Sequence, residues 1–287
     1  MNERRVTGEG LAEHSVSLAN GRTIRYVTGG NTGPLVLLES GLGNTAGTWV
    51  TVQRHLSSTC RTISYDRAGL GGSDPADGPR SLDQMATDIV ALLDALGVDE
   101  PVVLVGHSWG GPLVRLFAER WPLRARALML VDPTITPVRK WLRVVPWLYF
   151  RLHWMVRLGG RERLLRTYRT GRWSQEMSAR DLDVALLDHM TSANLRTSRR
   201  EIREQRGAMP LLATLESTPS PVPIRFLVGT DRPEPLRTIM PEECARIASR
   251  SPMGSTVLVE DAGHSIPQER PVRMATEIAR FAMGLPN

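Results

Sequence analysis

Apolar and polar positions alternate in two registers along the chain. Short, continuous apolar runs at Leu35–Glu39, Pro101–Val105 and Ala127–Val131 have strand length and lie between turn signals, as parallel strands buried on both faces do. Thr23–Thr28 and Arg61–Tyr65 read as further strands. Between them the period lengthens. Over Ser81–Leu96, Met85, Ile89, Leu92, Leu93 and Leu96 fall on one helical face, Ser81 and Gln84 have capping-box spacing, and Gly97 ends the run. Trp109–Arg120 predicts a second helix. After residue 133 the strand signal stops, and Arg-rich helical segments broken by Pro146, Gly159-Gly160, Gly171 and Gly207 run to the proline-rich Thr218–Pro223. Alternation then resumes with strand Ile224–Val228, helix Pro241–Ser249, strand Thr256–Val259 and helix Pro271–Met283, the two prolines falling where a first-turn proline is favoured.

This order predicts an α/β core, with a mostly parallel sheet and helices on both faces, interrupted by an α-helical insertion. The expected boundaries are 1–133 and 219–287 for the two parts of the core and 134–218 for the insertion. A chain of 287 residues is long enough for both.

Composition adds little except through charge. The net charge is +6, yet residues 134–218 hold 16 Arg and Lys against 8 Asp and Glu, so the insertion alone carries +8 and the rest −2. No basic motif with interleaved base-stacking aromatics accompanies it, so nucleic acid is not an expected partner. Cys60 and Cys244 fit no metal or redox spacing and are expected as free thiols. No metal or cofactor is expected. The polar N-terminus and the lack of a long apolar run predict neither a secretory signal nor a spanning helix, which points to a cytoplasmic setting. The oligomeric state is open.

The candidate chemistry centres on Gly106-His107-Ser108-Trp109-Gly110, a G-x-S-x-G string between a buried strand and a helix. Such a turn forces its central residue into a strained conformation, and small neighbours let the chain pass close by. The serine hydroxyl then stands exposed at the start of a helix. A serine needs a base to become a nucleophile. Of six histidines, His264 follows the strand Thr256–Val259 in a short loop, and such loops gather at the C-terminal edge of a parallel sheet, where Ser108 also lies. His107 is expected to point away from Ser108. Two aspartates end strands on the same edge: Asp231 after Ile224–Val228 and Asp132 after Ala127–Val131. The order Ser108, Asp231, His264 is the chain order expected of this architecture, which favours Asp231, with Asp132 the alternative acid. The oxyanion donors are expected to be the backbone N–H groups of Trp109 and of Leu42, in the glycine-bearing loop Ser40–Asn44. The side chains of Leu42 and Trp109 are then expected to shape the pocket.

Taken together, Leu38-Glu-Ser-Gly-Leu-Gly43, Tyr65-Asp-Arg-Ala-Gly-Leu-Gly-Gly-Ser73, Gly106-His-Ser-Trp-Gly-Gly111 and Gly263-His264 with Glu269-Arg-Pro271 resemble the α/β-hydrolase superfamily over nearly the whole chain. The resemblance implies that Asp66 and Arg67 buttress the site, that 134–218 is a helical cap, and that the chain is a serine hydrolase. The usual His-Gly ahead of the oxyanion loop is Ser40-Gly41 here, and the usual G-x-x-D acid motif is shortened to Gly229-Thr-Asp231. Serine at position 108 disfavours the dehalogenase and epoxide hydrolase branches, which use aspartate there.

The expected reaction is hydrolysis of a carboxylic ester of a small apolar substrate through an acyl-enzyme. The same residues would serve a C–C bond hydrolase, a thioesterase or a lactonase, and the fold alone also allows a ligand-binding protein of low turnover. Trp141, Trp147, Phe150 and Trp154 in the insertion are expected to line the substrate pocket while its arginines reach solvent. Contact of this segment with an anionic lipid surface is the competing, less favoured expectation.

Overall fold

A computed structural model describes residues 10–137, 175–187 and 191–285, together with isolated positions between 147 and 173. Eight strands form one sheet: β1 (Leu11–Ser17), β2 (Thr23–Gly29), β3 (Leu35–Glu39), β4 (Arg61–Tyr65), β5 (Val102–His107), β6 (Ala125–Val131), β7 (Ile224–Gly229) and β8 (Ser255–Val259). Their spatial order is β1-β2-β4-β3-β5-β6-β7-β8, with β1 and β2 antiparallel and all pairs from β4 to β8 parallel.

Helices cover both faces: α1 (Val50–Leu56), α2 (Leu82–Ala95), α3 (Gly110–Arg120), α4 (Ala179–Leu187), α5 (Ser192–Gly207), α6 (Met209–Ser217), α7 (Leu236–Ala248), α8 (Ile266–Glu269) and α9 (Pro271–Met283). Strand alternation divides the core between them. Leu37 and Leu104 pack with Met85 and Ile89 of α2 and Phe117 of α3 on one face. Val36, Leu38, Val103 and Val105 pack with Leu56 of α1 and Ile278 of α9 on the other. Residues of β3 and β5 are therefore buried on both sides, which is why these strands read as unbroken apolar runs.

Helices α1 and α8 were not read from the sequence, and two further elements depart from it. β1 gave no strand signal because it is an edge strand with several partly or fully exposed positions, Leu-Ala-Glu-His-Ser-Val-Ser. Helix α7 begins at Leu236, so Pro241 lies inside it rather than in its first turn. The expected cap on α2 is present: Ser81 Oγ accepts from the Gln84 N–H at 3.3 Å.

Between β6 and β7 the described residues form helices α4–α6 and no strand. Helix α4 joins the core through Asp181, which accepts from Thr51 Oγ1 at 2.9 Å and pairs with Arg54 at 3.0 Å. No described helix is long and apolar enough to cross a membrane.

The strand register brings the C-terminal ends into line. Glu39 pairs with Gly106, His107 with Val131, Val131 with Leu227, and Gly229 with Val259. The loops holding Ser40–Asn44, Ser108, Asp132, Asp231 and His264 therefore share one edge.

Candidate active site

At the end of β5 the chain turns straight into α3. Ser108 has φ +54°, a left-handed conformation that costs free energy and is held by its surroundings. Its N–H donates to Val131 O at 3.0 Å, and its carbonyl accepts from Gly111 and Thr134. The flanking glycines are required. A Cβ on Gly106 would lie 2.4 Å from Gly110 O, and one on Gly110 would lie 2.7 Å from Ser40 O. The turn thus fits only where those two side chains are absent, as the G-x-S-x-G pattern predicts.

His264 Nε2 lies 2.9 Å from Ser108 Oγ. At the other side of the ring, Nδ1 makes a short hydrogen bond to Asp132 Oδ2. The carboxylate at His264 is therefore that of Asp132, which corrects the preference for Asp231. Asp132 ends β6 at φ +45°, is fully buried, and accepts from the Gly229 N–H at 3.4 Å through Oδ1. Asp231 is exposed, and its N–H donates to Ala262 O at 2.9 Å. The next residue, Arg232, turns inward instead. Its guanidinium pairs with Asp132 and lies 2.9 Å from His264 Nδ1. The sequence reading did not single out Arg232.

His107 makes no hydrogen bond to Ser108, in keeping with the expectation that it points away. Its ring lies against the histidine loop, with Nε2 2.8 Å from His264 O and the two rings 5.0 Å apart. Burial above all, then the neighbouring His264, lowers its pKa to about 3, so it is a neutral ring donating to a carbonyl. His264 presents about half of its side-chain surface, 51%, to the site, and its two ring nitrogens face Ser108 and Asp132. Loss of solvent and, next, the Arg232 charge lower its pKa to about 3. A neutral imidazole beside a serine hydroxyl is the form that can accept a proton.

The loop after β3 passes directly against the nucleophile: a Cβ on Gly41 would lie 3.2 Å from Ser108 Cβ. Leu42 is partly buried in that loop, and Trp109 heads α3, so their N–H groups belong to the two segments that flank Ser108. The Trp109 indole does not face the site; it is fully buried in the core beneath the turn.

Behind the loop sits a buried charge cluster. Arg67 donates to Ser40 O at 2.7 Å and Gly41 O at 2.8 Å, and pairs with Glu39 and Glu201, all three side chains being at most 2% exposed. Tyr65 hydroxyl donates to Glu39. Asp66 accepts from the Ala46 N–H at 2.8 Å and pairs with Arg25. Asp66 and Arg67 thus brace the loops around the site, and Glu201 of α5 is a partner that sequence reasoning missed.

Of the expected pocket residues, Trp147, Phe150 and Trp154 are exposed by 59%, 48% and 47%. Trp141 lies outside the described residues.

Residues 35–277 match the model of the alpha/beta hydrolase family. The chain belongs to that family. Membership places it among enzymes of the α/β-hydrolase kind. An AB hydrolase superfamily protein of Gibberella zeae is 39% identical over 90 residues, which are 31% of this chain and 28% of that protein. A (lyso)-N-acylphosphatidylethanolamine lipase of Bos taurus is 32% identical over 110 residues, 37% of this chain and 32% of the lipase. The matches thus span about a third of those relatives' lengths. The structure of an epoxide hydrolase from Vigna radiata superposes with a TM-score of 0.73 at 19% identity, covering 96% of this chain and 99% of the other, a likeness of fold.

Proposed function

We propose that this α/β-hydrolase is a serine hydrolase that cleaves a carboxylic ester, or a related acyl bond, of a small apolar substrate through an acyl-enzyme. One observation carries the reading: Ser108 Oγ, His264 and Asp132 stand in a continuous hydrogen-bonded line, with 2.9 Å from Oγ to Nε2. In the acylation step Ser108 Oγ attacks the carbonyl carbon while its proton passes to His264 Nε2. The tetrahedral intermediate collapses, the bond to the leaving oxygen breaks, and that oxygen takes the proton from Nε2. Water then gives a proton to His264 and attacks the acyl carbon, and Ser108 regains its proton as the acid leaves. Asp132 holds the ring with Nε2 toward Ser108 and offsets the charge that forms on it. Main-chain N–H groups of Trp109 and Leu42 receive the oxyanion.

Serine at 108 supports an acyl-enzyme over the alkyl-enzyme route that an aspartate would provide. No cofactor is required by these steps. A reducing, cytoplasmic setting fits the two buried free thiols, Cys60 and Cys244. The test is reaction with a fluorophosphonate probe, followed by a screen of ester, thioester, lactone, amide and C–C substrates. Covalent labelling at Ser108 together with ester turnover is expected. Failure to label, with no turnover of any acyl substrate, excludes the acyl-enzyme.

A further inference from the structure

Helix α5 buries a polar face. Asn194, Thr197, Ser198, Glu201 and Gln205 fall on one side at helical spacing, and each is at most 7% exposed. A helix that joins a core normally does so through apolar residues, since burying polar groups costs free energy unless each finds a partner. For Asn194, Thr197 and Glu201 the partners are loops of the catalytic edge, while Ser198 bonds back to Asn194 O within the helix. Asn194 Nδ2 donates to Gly43 O at 3.3 Å, and Asn194 Oδ1 accepts from the Gly71 N–H at 2.7 Å. Thr197 Oγ1 donates to Gly69 O at 2.8 Å. Glu201 accepts from the Gly43 N–H at 3.3 Å and takes Arg67 through two bonds of 2.9 Å. The same Arg67 holds the carbonyls of Ser40 and Gly41.

Helix α5 therefore grips both main-chain groups of Gly43 directly, and the carbonyls of Ser40 and Gly41 through one arginine. Gly43 has φ +67°, a left-handed conformation open to glycine, which lets both its main-chain groups turn toward α5. Leu42, whose N–H would face the oxyanion, lies between the gripped positions.

We propose that Glu201 and Asn194 are positioning residues that set the oxyanion loop, so that acyl transfer requires α5 to be seated on the catalytic edge. This inference rests on the acyl-enzyme reading above. A seat made of hydrogen bonds to main-chain groups specifies one register, which a greasy contact would not, and it makes the loop geometry depend on the helix. The consequence is a division of labour: α5 affects the transition state, where charge develops on the oxygen, and leaves ground-state binding almost untouched.

The experiment compares Asn194→Ala and Glu201→Gln with wild type on a soluble nitrophenyl ester. Rates are taken per active site titrated, with inhibition by a boronic acid, whose tetrahedral adduct places an oxygen in the same hole. Each variant is expected to lose about 10–10² in kcat with KM within about threefold, and to lose boronate affinity by a similar factor, the scale of misplacing one donor. The pH limb set by His264 should not move. Melting curves separate unfolding from mispositioning, and Asn194→Ala, which leaves the buried ion pair intact, keeps the test open if Glu201→Gln is unstable. Both variants folded with kcat per site near wild type would overturn the inference, as would a fall in kcat with unchanged boronate affinity. A wild type that neither labels nor turns over any acyl substrate overturns the acyl-enzyme reading itself and the inference with it.

Discussion

Arg232 pairs with Asp132 directly behind His264, its guanidinium 2.9 Å from the imidazole Nδ1. In the sequence Gly229-Thr230-Asp231-Arg232, the arginine takes the fourth place, where the G-x-x-D pattern has its acid. The carboxylate comes instead from the adjacent strand β6. Strands β6 and β7 are neighbours, so either end can reach the same imidazole. A cation at the empty β7 position then compensates the buried Asp132 charge.

This arrangement fixes the direction of a pH effect. Burial and then Arg232 depress His264 from 6.5 to about 3. Only the neutral ring accepts the serine proton, so wild-type kcat/KM should hold as pH falls through 6.5 and drop only on approach to the lowered value. Arg232→Gln removes the second cause and leaves the first, so its acid limb should shift to higher pH without reaching that of a free imidazole. Profiles of kcat/KM against pH for both proteins give the answer, and a limb that stays put or moves down contradicts the assigned role of Arg232.

Asp132→Asn should cost about 10⁴ in kcat, because an amide at Nδ1 favours the wrong imidazole tautomer. Asp231→Asn should stay close to wild type, since that side chain is exposed while Asp132 occupies Nδ1. Steady-state kinetics on one ester rank the two. A larger loss in the Asp231 variant would return the acid to β7.

Ser108→Ala should abolish covalent labelling by a fluorophosphonate and remove activity by a factor on the order of 10⁶. The fold should survive, as an alanine methyl leaves the backbone bonds of the turn in place. Retention of a tenth of the wild-type rate would locate the nucleophile elsewhere.

Gly110→Ala probes the turn from a different side. The new Cβ would stand 2.7 Å from Ser40 O and 2.8 Å from Glu39 O, both main-chain atoms that cannot swing aside. Helix α3 and the oxyanion loop must move apart. A stability loss of about 1–3 kcal/mol is expected from such overpacking, together with a fall in kcat of roughly 10², since the Trp109 N–H shifts with the helix. Thermal melts and kcat measured on the same preparation test both parts, and unchanged kcat would mean that the α3 start does not help hold the oxyanion.

Much of this architecture could be read directly from residue patterns. Strands β3 and β4 and helix α9 begin and end where periodicity puts them, because their surroundings on the sheet impose one pattern throughout. Ser108 and His264 were legible for a related reason: a sharp turn and a strand-end loop leave signatures in glycine spacing and position. The acid was not, since both candidate aspartates end parallel strands and the choice depends on which side chain turns inward, Asp132 or Asp231. Helix α5 was read only as part of an Arg-rich helical stretch, without bounds or orientation. Beside Leu195 and Ile202 its buried residues are polar and bond mainly to loop backbone and Arg67, which an arginine-rich pattern does not announce.

We propose that the exposed aromatics Trp147, Phe150 and Trp154 set the preference for the acyl group. Their positions i, i+3 and i+7 fall on one helical side, and each leaves roughly half its surface or more uncovered. If a bound acyl chain covers them, each added methylene should raise kcat/KM by up to about fourfold, the equivalent of ~0.8 kcal/mol of transfer free energy. Medium-length acyl esters should then outperform acetyl esters, and replacing all three residues by serine should flatten that rise while leaving acetyl ester rates near wild type. A lipid surface would cover the same side chains differently. In that case the length dependence survives the substitutions, while salt-sensitive binding to anionic vesicles is lost with them. The expected outcome is the flattened series with no vesicle binding by the wild-type protein. A rise in rate at the solubility limit of the ester, matched by vesicle binding that disappears in the triple variant, would assign these aromatics to a membrane surface instead.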